Sequence, residues 1–417
     1  MILWELIREN QRRSWILFIA MGGCLLALGY ALGLAWMPHQ DGGVLGMMIA
    51  ALVWFVMSLI SYFSGDSILL SMSGAKEVNR NVHPQLFNIV EEMKIAANLP
   101  VMPRIYIIDS PASNAFATGR SSEKSAVAVT AGLLSRLNRD ELQGVIAHEM
   151  SHVVNRDVLY MTFAGVLLGS IVMLSELFLR SQYYSLGSRR YRSSSRDNNQ
   201  AQAVMMVVAL VFAILAPILA RLFYFSLSRR REYLADASAV RLTRYPEGLA
   251  SALEKISRPD TELASANRVT ASMYIVNPLK LSQRQVVHAF STHPPVEERI
   301  KILRSMMKGA NYKQYADAFS KVKGNASLMP ASALADSEPI PLRSSSSPAE
   351  DTRSSKQKAR DLGDLMRVLN DYMFIPCACG LRIKIPPDFN RPTLACPRCR
   401  RQHDLRSARP EPAGSGA

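Results

Sequence analysis

The run His148-Glu149-Met150-Ser151-His152 reads H-E-x-x-H. Before it, Arg139-Asp140-Glu141-Leu142 has the acidic character of a helix start, and Leu142, Val145, Ile146, Met150 and Val153 recur at helical spacing. Two histidines four apart on a helix stand one turn above each other on the same face. Their imidazoles can therefore share one Zn²⁺. Glu149 between them points close to the open metal position and can act as general base toward a water. Histidine is scarce here, 7 in 417 residues, so a chance match is on the order of one in a hundred. A surface helix with two ordinary histidines is the competing reading, and the apolar periodicity around the motif argues against it. The local chemistry is that of a zinc hydrolase.

A catalytic zinc usually takes three protein ligands and keeps one position open. The next candidate is Glu232, within Ser228-Arg229-Arg230-Arg231-Glu232-Tyr233-Leu234-Ala235-Asp236-Ala237. A lone glutamate on a basic helix is ordinarily a solvated salt-bridge residue. Against that, Ala235, Ala237 and Ala239 suggest tight packing, and Asp236, one turn on, can hydrogen-bond a ligand histidine. On spacing alone the two readings stand level.

The elements that must position these residues are partly apolar spans. Hydrophobic residues make up 48% of the chain, yet the formal net charge is +15. Ser14–Met37 and about 42–65 are free or nearly free of charge, and each is long enough to cross a hydrocarbon core of roughly 30 Å. The first is too long for a signal-peptide core and lacks a convincing cleavage site, so it is expected to be a retained anchor. Arg8, Arg12 and Arg13 precede it, and the turn Pro38–Asp41 carries no Lys or Arg. This bias puts the N-terminus and the H-E-x-x-H helix on the cytoplasmic side. Two further apolar windows, Val158–Ser175 and about 203–220, flank a basic loop with Arg180, Arg189, Arg190, Arg192 and Arg196. Crossing would put that loop outside, against the positive-inside rule. Shared ligands require zero or two crossings, and the sequence does not choose between them.

Four blocks then add up to a family. They are Ser113-Asn114-Ala115-Phe116-Ala117-Thr118-Gly119, His148–His152 with Asn155-Arg156-Asp157, Arg231–Asp236, and Ser291-Thr292-His293-Pro294-Pro295. Over roughly residues 1–305 the chain resembles the HtpX-like membrane zinc metalloproteases, relatives of the CAAX prenyl proteases. The resemblance implies that His148, His152 and Glu232 are zinc ligands, Glu149 the catalytic base and Asp236 a partner of a ligand histidine. His293 and Arg299 match positions near the active site in related proteases, where they could stabilise an oxyanion. The plainer reading of His293 is a residue at a helix start ahead of Pro294-Pro295. Asn114, Ala115, Phe116 and Ala117 resemble the family's edge strand, to which a substrate could add as a further strand. The implied substrates are misfolded or damaged membrane proteins.

Beyond about Met306 the resemblance fades. Asn325–Lys358 is rich in Ser, Pro and Ala, and 307–360 is expected to be a flexible linker. Asp361–Met373 can form a short amphipathic helix. Cys377-Ala378-Cys379 and Cys396-Pro397-Arg398-Cys399 then pair as knuckles of a structural zinc ribbon, with metal supplying most of its folding energy. A disulfide pair is disfavoured on the reducing cytoplasmic side. The ribbon's arginines lack interleaved aromatics, which favours a partner- or substrate-recruiting module over nucleic-acid binding.

The expected fold is mainly α, an integral membrane zincin-type metalloprotease with a small β-sheet carrying an edge strand, then a disordered linker and a small zinc ribbon. The expected units are 1–66, a membrane hairpin with helices at about 14–37 and 44–64; 67–306, the protease, with apolar helices at about 158–178 and 203–223; 307–360, the linker; 361–405, the helix and ribbon; and 406–417, a disordered tail. The expected cofactors are one catalytic and one structural Zn²⁺. The expected partners are protein or peptide substrates and the lipid bilayer, without nucleic acid. The expected location is the inner membrane, multi-pass, with active site and ribbon facing the cytoplasm. Two alternatives compete: a silent scaffold whose ribbon recruits partners, which the intact Glu149 argues against, and a narrowly selective CAAX-type processing protease, whose many-helix cage is not evident.

Overall fold

The computed structural model describes residues 2–37, 40–188, 199–257, 274–275, 294–306, 309–324, 327–329, 334, 340–346 and 353–405. In chain order these form α1 (Ile2–Trp36), α2 (Gln40–Met72), β1 (Ala75–Glu77), α3 (Pro84–Ala96), β2 (Arg104–Ile108), β3 (Ala115–Ser121) and β4 (Lys124–Thr130). Then come α4 (Ala131–Arg136), α5 (Arg139–Val154), α6 (Asp157–Ser188), α7 (Asn199–Thr243), α8 (Pro246–Ser257), α9 (Val296–Arg304) and α10 (Tyr312–Val322). The C-terminal part holds α11 (Ser355–Leu369), β5 (Met373–Pro376), β6 (Arg382–Ile385), β7 (Thr393–Ala395) and β8 (Gln402–Asp404).

Among the described residues, two helices carry stretches long and apolar enough to cross a membrane, Phe18–Trp36 and Asp41–Met72. They pack backbone to backbone through glycines. A Cβ on Gly33 would lie 2.1 Å from the Gly42 carbonyl oxygen, and one on Gly46 would lie 2.3 Å from that of Gly29. Small residues permit this approach where lipid supplies no hydrophobic drive. α1 begins ahead of the expected 14–37, and α2 extends beyond the expected 44–64 at both ends. The two later windows join the same bundle. Leu167, Ile171 and Phe178 of α6, and Ala209, Ala213, Ala216 and Ala220 of α7, pack with Met21, Leu25, Leu28 and Leu32 of α1. The alanine row, spaced alternately four and three residues apart, forms one narrow face of α7. Both helices exceed the expected 158–178 and 203–223, and α7 continues through Pro217 to carry Glu232 on the same rod.

The second body is built around a four-stranded sheet in the order β1-β2-β4-β3. β2 runs parallel to β4, while β1 pairs antiparallel with β2 and β3 antiparallel with β4, leaving β1 and β3 as the edges. The helix α5 is buried along most of its length, with Leu142, Val145, Ile146 and Met150 in a core shared with α3, α7 and α8. Its contact with α8 depends on Gly144, where a Cβ would lie 2.7 Å from the Leu249 nitrogen.

The expected flexible linker at 307–360 requires correction. Residues 312–322 form α10, capped by the Asn311 side chain, and Tyr312, Tyr315, Ala318 and Phe319 lie in the protease core. The expectation rested on the Ser/Pro/Ala bias downstream and overlooked aromatic residues at helical spacing. Farther on, Asp140 accepts hydrogen bonds from Arg343 Nη2 at 2.9 Å, Ser345 Oγ at 2.7 Å and the Ser346 amide at 2.8 Å. This docking onto the first turn of α5 is a tertiary contact that composition cannot reveal. The following helix starts at Ser355, before the expected 361, and Leu362, Leu365, Met366 and Leu369 pack on the protease core.

Candidate active site

The helix that carries the motif is fixed at both ends. The Asn138 side chain accepts from the Glu141 amide at 2.9 Å, and the Glu141 carboxylate accepts from the Asn138 amide at 2.9 Å. This reciprocal cap satisfies two of the free N–H groups at the helix start. At the other end the chain leaves α5 through Arg156, whose φ of 56° turns it sharply into α6. Within α5, His148 and His152 meet edge to face, their ring centroids 4.9 Å apart.

Glu232 of α7 completes the triangle. His148 Nε2 lies 3.5 Å from Glu232 Oε2, and His152 Nε2 lies 3.6 Å from Glu232 Oε1. One ligand atom from each residue falls within 4.8 Å of the others. A tetrahedral zinc with bonds of about 2.0–2.1 Å has ligand–ligand edges of roughly 3.4 Å, so the donor set fits the ion. The charge balance fits too. Buried Glu149, Glu232, Asp236 and Asp157 are opposed by buried Arg231 and Arg299, and with neutral imidazoles two negative charges remain, which a divalent cation offsets.

The surrounding groups keep this site charged. Burial alone would lower the pKa of His148, but its hydrogen bonds with Asp236 and Glu232 raise it to about 9. The carboxylates thus draw positive charge to this point, whether a proton or a metal ion. Burial would push the Asp236 carboxyl up, yet Arg299 and His148 hold it below its ordinary value. Glu149 is pushed up by burial, and the adjacent histidines only partly oppose this. An upward shift brings a carboxylate nearer the range useful for moving protons at neutral pH.

Asp236 lies 3.0 Å from His148 Nδ1, which leaves Nε2 of that ring facing Glu232. Arg299 of α9 donates to Asp236 through Nε at 2.8 Å and Nη2 at 2.6 Å, and its Nη1 lies 3.3 Å from Glu232. Its guanidinium is fully buried and committed to these carboxylates. Arg299 thus braces Asp236 and Glu232, and its Nη1 also donates to the Ile275 carbonyl oxygen at 3.3 Å. His293, expected beside it, lies outside the described residues. Sequence reasoning gave no role to Asp157, which lies 3.3 Å from His152 Nδ1; its spacing just past the motif was the only signal.

Asn114 precedes β3, and Ala115, Phe116 and Ala117 begin it, all buried. The outer side of this strand already has internal partners. Ala115 oxygen accepts from the Ile275 amide at 3.0 Å, and the Ala117 amide hydrogen-bonds the Glu149 carboxylate. The Phe116 ring meets Tyr274 edge to face at 5.2 Å. An added substrate strand has to exchange for these contacts.

A second cluster forms far along the chain. Cys377, Cys379, Cys396 and Cys399 bring their sulfurs within 4.8 Å of one another, between the hairpins β5-β6 and β7-β8. All four are free thiols. The tight Cys-x-Cys knuckle is accommodated by Gly380 at φ 82°, a conformation open to glycine at little cost.

The profile of peptidase family M48 matches residues 80–307. The chain is 46% identical over 303 residues to a protein named "Protease HtpX homolog" from Dictyoglomus turgidum, covering 73% of this chain and 94% of that one. Proteins of the same name from Caldanaerobacter subterraneus and Streptococcus pneumoniae are 40% and 39% identical, again over 73% of this chain, and are covered over 98% and 100% of their lengths. Among solved structures, Ste24p of S. mikatae is similar at 21% identity and a TM-score of 0.37, over 71% of this chain and 65% of that one.

Proposed function

The chain belongs to peptidase family M48 and is a membrane zinc protease, and from that premise we propose that His148, His152 and Glu232 hold its catalytic zinc and that Glu149 is its general base. The observation that carries this is the triangle of two imidazole nitrogens and one carboxylate at 3.5 and 3.6 Å, with Glu149 beside it on the same helix. Zn²⁺ held there would lower the pKa of the attacking water and polarise the scissile carbonyl. Glu149, steadied by the Ala117 amide, takes the proton of that water and later passes it to the leaving amine. Asp236 keeps the His148 ring oriented, and Arg299 keeps Asp236 ionised. The substrate strand adds along β3 at Asn114–Ala117, displacing the Ile275 contact. His293 is proposed to lie near the oxyanion. The silent-scaffold reading is not favoured, because it leaves Glu149 without a role.

The substrates proposed are misfolded or damaged membrane proteins. Glu232 lies ten residues beyond Leu222, the end of the apolar stretch Met206–Leu222 on the same helix, or about 15 Å along the axis. A site so near the bilayer surface suits chains emerging from it. Detergent-solubilised enzyme is expected to cleave a loosely folded protein, to lose that cleavage to a zinc chelator and to recover it on zinc addition. Cleavage that survives complete zinc removal would contradict the assignment.

The location proposed is the inner membrane, with the N-terminus, active site and ribbon in the cytoplasm and α6 and α7 crossing beside α1 and α2. Phe178 lies 21 residues into α6 from Asp157, about 31 Å along the axis. There it meets Trp36 at the far end of α1, with ring centroids 6.1 Å apart. A cysteine placed at Ser194 is then expected to react with an impermeant thiol reagent in intact cells. Labelling only after permeabilisation would refute the crossing.

The four ribbon cysteines are proposed to hold a second, structural zinc. The wild-type chain should carry two zinc ions and a Cys377→Ser, Cys396→Ser variant one; equal zinc content in both would remove the ribbon site. The ribbon is proposed to recruit substrates or partners.

A further inference from the structure

Each motif histidine has its own carboxylate, and each carboxylate its own arginine. For His148 these are Asp236 and Arg299, supplied by α7 and α9. For His152 they come from other elements. Asp157 is the first residue of α6 and is fully buried. Its Oδ2 lies 3.3 Å from His152 Nδ1. Arg231, itself 1% exposed, donates through Nη1 to the Asp157 carbonyl oxygen at 3.1 Å, and its Nε lies 3.8 Å from Asp157 Oδ1. Arg231 immediately precedes Glu232 on α7.

We propose that Asp157, pinned by Arg231, is the positioning residue for His152, so that the second histidine of the metal site is oriented from the start of α6 and the C-terminal part of α7. An acid at a helix start has a simpler explanation, since it complements the helix dipole. That interaction needs only a carboxylate beside the first free amides. It accounts neither for full burial against the His152 ring nor for the arginine from α7. A carboxylate on Nδ1 fixes the tautomer that leaves Nε2 with its lone pair, and it makes the imidazole a better ligand. Arg156, at φ 56°, brings this carboxylate back to a ring only five residues earlier. The pair also couples two ligands. Arg231 adjoins Glu232 and holds the residue that orients His152, so a shift of α6 against α7 would disturb both.

This inference rests on the metal-site reading, and its test separates the two. Full-length protein would be loaded with Co²⁺. In a site of nitrogen and oxygen donors, Co²⁺ gives weak visible bands distinct from the thiolate bands of a cysteine site. Metal affinity would be read by competition with a chelator, alongside thermal unfolding of the metal-free protein. Asp157→Asn is expected to weaken metal at the nitrogen–oxygen site by roughly 10–100-fold and to alter its bands, with Asp157→Glu recovering part of the loss. Arg231→Gln, which leaves Asp157 in place, is expected to shift affinity in the same direction by less. Wild-type affinity and bands in both Asp157→Asn and Arg231→Gln would overturn the inference, including where only unfolding temperature falls. No nitrogen–oxygen cobalt signal in the wild type would overturn the metal-site reading itself, and this inference with it.

Discussion

Replacing Glu149 by glutamine is expected to lower kcat for peptide cleavage by about 1,000-fold, within the range that general acid–base catalysis supplies, while leaving zinc bound. The change keeps the size of the side chain and its acceptor for the Ala117 amide. It removes only the ability to accept a proton. Three orders of magnitude correspond to about 4 kcal/mol of transition-state stabilisation, far more than one surface contact contributes. Because Glu149 is not one of the three clustered ligands, the metal content should match the wild type, which separates this variant from any ligand substitution. Cleavage rates measured at matched zinc content check it. Equal rates would mean that the observed hydrolysis comes from another protein or another base.

The second large effect is expected at Arg299. Its guanidinium is fully buried, forks onto Asp236 at 2.8 and 2.6 Å and reaches Glu232 at 3.3 Å. Arg299→Met fills similar volume but leaves two buried carboxylates without their cation. Breaking a buried pair on one side typically costs about 3–5 kcal/mol, which for a domain of this size lowers the unfolding temperature by on the order of ten degrees. Zinc at the site should recover part of that loss by restoring positive charge beside Glu232. The variant should also become more sensitive to acid. In the wild type Asp236 is held below its ordinary pKa, so its contribution is present at neutral pH and is lost as pH falls through the folded-state value. Without Arg299 that value rises, and the loss begins at higher pH. Arg299→Lys should not restore stability, because an ammonium cannot fork onto a carboxylate as a guanidinium does. Unfolding followed against pH, with and without zinc, reads these effects. A wild-type transition in Arg299→Met would contradict the positioning role.

How far the sequence reveals this site depends on how local each contact is. His148, Glu149 and His152 share one helix, so spacing alone puts them on one face. Glu232 comes from another helix, and its part could be read only level with an ordinary surface glutamate until the triangle was seen. That Arg299 forks onto Asp236 is not legible either, because a residue's type says nothing of what buries it; the cation that suits an oxyanion suits a pair of carboxylates equally well. Asp157 escaped because its approach to His152 depends on the left-handed turn at Arg156, which no periodicity reports. The same division holds for the fold. The apolar windows announce the helices of the apolar bundle, but not that α7 runs unbroken from its apolar stretch to Glu232. The docking of Ser345 and Ser346 on Asp140 lies hidden inside a run whose composition suggests a flexible chain.

The most direct test of the central claim is zinc-edge X-ray absorption on the full-length protein with the four ribbon cysteines replaced by serine. The account predicts one zinc per chain, with a first shell of nitrogen and oxygen only, including imidazole from two histidines. A zinc with sulfur in its shell, or no zinc in a folded protein, would contradict it.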